Sequence, residues 1–136
     1  MVADEALIDY MKLSARSFLF SASLPASLVA SALAALDIIE KDDTLRRRLE
    51  SNKRFFREGL LDLGFDLGDS ETHITPIMLR EELLTLKAGA YLFHGGGVIM
   101  MPFISPGVPL GTERLRCNVT AAHSEAEMGY ALEAVA

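Results

Sequence analysis

The chain has 136 residues, enough for one domain that buries roughly two thirds of the surface its unfolded form exposes. Its net charge of −6 and pI near 5.0 argue against a nucleic-acid partner, because phosphate binding asks for a basic face and the run Arg46-Arg47-Arg48 reads as a solvated helix face. Cys117 is the sole cysteine, which excludes an intrachain disulfide framework and a thiolate metal cluster and suits a reducing compartment; the cytoplasm is the expected location.

Residues 1–10 carry Asp4, Glu5 and Asp9 in place of the basic and apolar stretches of a secretory signal, and no apolar run in the chain approaches the roughly 18 residues of a membrane span. Ala6, Leu7, Tyr10, Met11 and Ser14 recur at helical spacing, so an amphipathic helix is predicted over 3–13, with acidic residues in its first turn. It ends before the aromatic stretch at Phe18. Ser23 can cap a second helix and Pro25 is tolerated in its first turn. That helix should run to about residue 40. Leu28, Val29, Ala32, Leu33, Leu36 and Ile39 make it apolar nearly all round, so it is expected to be buried on more than one side, and its small residues would let another element come close.

A third helix is predicted from Asp43, a good N-cap, with Leu45, Leu49, Phe56, Leu60 and Leu63 as its apolar stripe and Gly64 as its stop. Residues 64–75 are rich in Gly, Asp, Ser and Thr and read as a loop, with a possible short strand at 65–67; a strand follows at 77–79 and a fourth helix at 81–93. Gly95-Gly96-Gly97 ends that helix and leads into a buried strand at 98–104. Prolines and glycines forbid regular structure over 105–111. A last strand is expected at 113–120, and the capping box Ser124-Glu125-Ala126-Glu127 opens a closing helix over 125–135. The fold class implied is α+β, an α/β two-layer sandwich with helices packed on a small sheet of antiparallel type.

Few residues offer chemistry. Ser21 to Ser23 precede a helix start, where free amides and the dipole favour an anion, although most capped helix starts bind nothing. Arg114 and Arg116 lie two apart on a predicted strand and so share a face, where a guanidinium could grip a carboxylate with two parallel bonds; a solvent-facing pair is the plainer reading. His123, His73 and His94 stand alone, without metal-ligand spacing, and His123 beside its capping box suits a structural hydrogen-bonding role. The glycine triplet follows a helix and enters a strand, the reverse of a phosphate loop.

Two segments, Phe18-Leu19-Phe20-Ser21-Ala22-Ser23-Leu24-Pro25 and Arg114-Leu115-Arg116-Cys117-Asn118-Val119-Thr120-Ala121-Ala122-His123, resemble the C-terminal part of the α-oxoamine synthases, pyridoxal-phosphate enzymes that condense an amino acid with an acyl-CoA. The stretch from Asn52 to Gly59 and Gly64-Phe65 add to the resemblance, which covers almost the whole chain and implies the small domain of the fold-type I aminotransferases. By that resemblance Ser21, the Ala22 amide and Ser23 contact the cofactor phosphate of the other subunit of a homodimer. The pattern departs from the family at Ala22, where a second hydroxyl is common, and at Ala26, where a second proline is usual. Arg116 matches the arginine that holds the substrate carboxylate, and residues 102–111 resemble the loop lining the substrate entrance.

The resemblance also implies what to look for and not find. The Schiff-base lysine follows a Ser/Thr-x-x-Lys motif in the family, and Lys12, Lys41, Lys53 and Lys87 all lack it. The expectation is therefore a single C-terminal small domain over 1–136 without the N-terminal cofactor-lysine domain, a fragment or truncated product that is not catalytically competent alone and holds no pyridoxal phosphate by itself. The parent would use an amino acid such as glycine, alanine or serine and an acyl-CoA, with no nucleic acid, no metal and no integral membrane segment. Two alternatives stand: a dimerising interaction module that lost the chemistry, which the mean hydropathy of +0.24 suits, or one half of a split enzyme, which a neighbouring reading frame encoding the lysine motif would favour.

Overall fold

The computed structural model describes residues 3–21 and 24–136. The chain forms two compact units, Met1–Lys41 and Asp42–Ala136. The first holds α1 (Glu5–Ser14), α2 (Arg16–Leu19) and α3 (Ala26–Lys41). Extended backbone at Ala15 breaks α1 from the short turn α2, which the sequence reading leaves as an aromatic stretch. Ser23, the expected cap of α3, lies outside the described residues; the Pro25 carbonyl accepts from the Leu28 and Val29 amides at 3.0 and 3.2 Å and starts the helix. The expectation that α3 is buried on several sides is corrected: none of its residues is buried, and Leu33, Leu36 and Ile39 are 60, 61 and 71% exposed. The helix is apolar all round, but its own unit has no core residue for it to pack on.

The second unit contains α4 (Thr44–Asp62), β1 (Ile74–Met78), α5 (Glu82–His94), β2 (Met101–Phe103), β3 (Arg114–Asn118) and α6 (Glu125–Val135). The strands form one antiparallel sheet in the order β1-β3-β2. Ile77, Leu115 and Cys117 point from the sheet into a core completed by Phe56 and Leu60 of α4, Leu92 of α5 and Met128 of α6. This is the two-layer α+β arrangement the pattern implies.

Local chemistry explains the boundaries. Asp43 stands at the N-cap of α4, but its carboxylate binds Arg47 at 2.7 Å, and Asp42 takes the Thr44 amide at 2.8 Å in its place. At the other end the Phe65 amide donates to the Leu60 carbonyl at 3.1 Å and the Gly64 amide to Leu61 at 2.9 Å, a Schellman closure that needs the positive φ of +85° at Gly64. Residues 65–67 form no strand; Asp66 turns the chain by accepting from the Gly68 amide at 2.9 Å. β1 starts three residues earlier than predicted and ends where the Leu79 and Arg80 amides converge on the Glu113 carbonyl. β2 is shorter than the predicted buried strand and less covered: it is an edge, paired only with β3, Pro102 lacks an amide, and Ile99 and Met101 are 71 and 52% exposed. On α5, a Cβ at Gly89 would meet the Pro102 ring at 3.3 Å, so the glycine sets how closely that helix approaches the sheet.

Candidate functional site

β3 is the central strand, and the period of two that buries Leu115 and Cys117 puts Arg114 and Arg116 together on the opposite face. The register sets Arg116 between Pro76 of β1 and Met101 of β2, and Arg114 between Met78 and Phe103. The two arginines are held differently. Nε of Arg114 donates to the Thr112 carbonyl at 2.8 Å, which folds its guanidinium back toward the loop. The guanidinium carbon of Arg116 lies 4.3 Å from the centroid of the Phe103 ring, a diagonal neighbour on the adjacent strand.

Nε of Arg116 is buried and has no hydrogen-bond partner, and among the described residues no carboxylate forms a salt bridge with Arg116. A buried donor left unpaired costs about 1–3 kcal/mol. An incoming carboxylate would satisfy it with a pair of charge-assisted bonds, one to Nε and one to a terminal nitrogen. Arg116 thus keeps a donor that the described residues do not satisfy.

The surroundings fix the strand that carries it. Asn52, buried on α4, donates from Nδ2 to the carbonyls of Thr120 at 3.0 Å and His123 at 2.9 Å, tying the turn after β3 to the long helix. His123 accepts the Thr120 amide through Nδ1 at 3.2 Å, so this histidine shapes the same turn. Before β3, the buried Glu113 takes the Gly111 amide on Oε1 at 3.2 Å and anchors the irregular loop over 105–111, while its Oε2 has no partner. Sequence reasoning missed Phe103 and Glu113; their roles depend on strand register and burial, which no spacing in the chain announces.

Ser21 belongs to the first unit, and its hydroxyl donates to the Phe18 carbonyl at 2.9 Å; Ala22 and Ser23 lie outside the described residues. Lys12 pairs with Asp9 at 2.8 Å, Lys41 with Asp37 at 3.6 Å and Lys53 with Glu50 at 2.5 Å, while Lys87 is exposed on α5. Burial pushes the Cys117 thiol up to about 12, so it is no nucleophile near neutrality. Among the described residues no three of His, Cys, Asp and Glu come together to hold a metal ion, and no helix is long and apolar enough to cross a membrane.

The family model for aminotransferase class I and II matches residues 1–135. An 8-amino-7-oxononanoate synthase of Geobacter metallireducens is 43% identical over 136 residues, covering 98% of this chain and 34% of the relative. A serine palmitoyltransferase of Bacteriovorax stolpii is 37% identical over 129 residues, covering 95% of this chain and 30% of the relative. Among solved structures, a serine palmitoyltransferase with its PLP internal aldimine superposes with a TM-score of 0.89 at 31% identity, over 98% of this chain and 34% of that one. The chain spans about a third of the length of the curated relatives it matches.

Proposed function

The chain belongs to the class I and II aminotransferase family, among the α-oxoamine synthases, and from that membership we propose that it is the C-terminal small domain of a pyridoxal-phosphate-dependent acyl-CoA:amino acid C-acyltransferase. The observation that carries the reading is Arg116, a guanidinium with a buried, unpaired Nε on the sheet face opposite the core. Its role is to hold the carboxylate of a small amino acid such as glycine, alanine or serine. Bound pyridoxal phosphate supplies the electron sink for such condensations. Overall, the α-carbon of the amino acid joins the acyl carbon, the thioester C–S bond breaks to release the CoA thiol, and the carboxyl carbon leaves as carbon dioxide.

The residues present fit the carboxylate end of this chemistry and not the imine end, since three lysines are tied up in ion pairs, Lys53 with its side chain mostly buried, and the fourth is exposed. On this reading the isolated chain does not turn over. Ser21, Ala22 and Ser23 meet the cofactor phosphate across a homodimer; Ser21 then has to turn its hydroxyl away from the Phe18 carbonyl. The enzyme works in the cytoplasm. A different reading, one half of a split enzyme, shares this chemistry and differs only in where the lysine is encoded.

The test is a chimera. The part of the Geobacter synthase that this chain does not match is fused ahead of it, and release of CoA thiol is followed with amino acid and acyl-CoA. The expected result is turnover that falls at least about a hundredfold in Arg116→Gln, in line with loss of a charge-assisted bidentate contact. A folded chimera that is inactive, or one indifferent to Arg116, sinks the proposal.

A further inference from the structure

We propose that Phe103 is a positioning residue for Arg116, its ring fixing the plane of the guanidinium so that Nε and one terminal nitrogen meet a carboxylate edge-on. This rests on the reading of Arg116 as the carboxylate ligand. The ring centroid is 4.3 Å from the guanidinium carbon, inside the range of a cation–π contact. Phe103 pairs directly with Arg114 in the ladder, yet it is Arg116 that it covers, and Arg114 is drawn aside by its bond to the Thr112 carbonyl. Among the described residues no hydrogen bond or salt bridge holds the Arg116 side chain. The aromatic face is therefore what restrains a side chain that otherwise has many rotamers to lose on binding. A ring also leaves the in-plane N–H groups unpaired, where a hydrogen-bonding partner at that distance would consume them.

The experiment uses the 136-residue chain, nitrogen-15 labelled, with the Arg116 Nε–Hε resonance assigned by its loss in Arg116→Gln. Free glycine is the carboxylate probe. In the unsubstituted chain the resonance sits upfield through the ring current, rotation about the Nε–Cζ bond is slow, and glycine shifts the signal. Phe103→Tyr keeps all three. Phe103→Leu loses the upfield position, speeds the rotation and raises the glycine dissociation constant about two- to fivefold, the range a partly exposed cation–π contact is worth. Phe103→Leu with rotation or glycine affinity unchanged overturns the positioning role while Arg116 keeps its own. Glycine that leaves the Arg116 signal of the unsubstituted chain unmoved, or binds equally well to Arg116→Gln, overturns the reading of Arg116 and the proposal resting on it.

Discussion

At the start of α6, Ser124 and Glu127 cap each other: the Ser124 hydroxyl accepts the Glu127 amide at 3.3 Å, and Glu127 Oε2 accepts the Ser124 amide at 2.8 Å. Hydrogen bonds from the Ser124 amide first, then its hydroxyl, hold the Glu127 carboxyl below its ordinary value of 4.5. A carboxyl depressed on folding contributes stability that is fully present above that ordinary value and is lost as pH falls through the lowered one. Asp42 and Asp66 are depressed in the same direction, by Thr44 and by Arg80 respectively. Glu127→Gln should therefore flatten the fall of stability on the acid side, measured as urea midpoints at a series of pH values below 4.5; an unchanged slope would mean the box does not couple to folding. This box is a four-residue pattern and was legible in the chain. So was the shared face of Arg114 and Arg116, which needs only the period of a strand. That Arg114 is tied to a carbonyl while Arg116 keeps an unpaired Nε was not legible from spacing, because it turns on the Thr112 carbonyl and on which ring lies diagonal to it.

Among the elements, α4 supports β3 from the core side, since Phe56 and Leu60 enter the core beneath the sheet and Asn52 pins the turn beyond it. Leu60 is completely buried while Leu45, on the same predicted stripe, is 56% exposed. Leu60→Ala is expected to lose about 2–5 kcal/mol, and Leu45→Ala to stay within about 0.5 kcal/mol; chemical unfolding of the two variants side by side checks this, and equal losses would show that the first turns of α4 are packed after all. Helices with local stop signals, such as Gly64 and the glycine triplet after α5, were read within a residue or two. So was β3, predicted over 113–120 and found at Arg114–Asn118, but β1 and β2 were not. The start of β1 follows from pairing with β3 across forty residues of sequence, Ile74 against Asn118, and no local signal encodes that offset. The apolar run at 98–104 looked like an interior strand, but an edge position and Pro102 leave only three residues paired.

At the scale of the molecule, composition and structure make the same point from two directions. The chain is half hydrophobic, yet its core lies wholly within the unit Asp42–Ala136, and α3 offers a face of Val29, Leu33 and Leu36 to solvent. Sequence periodicity could show that α3 is apolar; it could not show that nothing in its own unit covers it, because burial depends on what surrounds a helix. An uncovered apolar face of this kind marks a surface that meets a partner, and the curated relatives are about three times as long. If the chain forms a homodimer, a second copy is one candidate to cover that surface. It follows that the purified chain should self-associate in light scattering, and that Leu33→Glu with Leu36→Glu should shift it to the mass of one chain without loss of helix content, because both positions are exposed in the isolated unit. An unsubstituted chain that is already monomeric across concentrations would remove self-association as the explanation. The surface would then suit the part of the curated relatives that this chain does not match, and adding that part of the Geobacter synthase in trans should bury it.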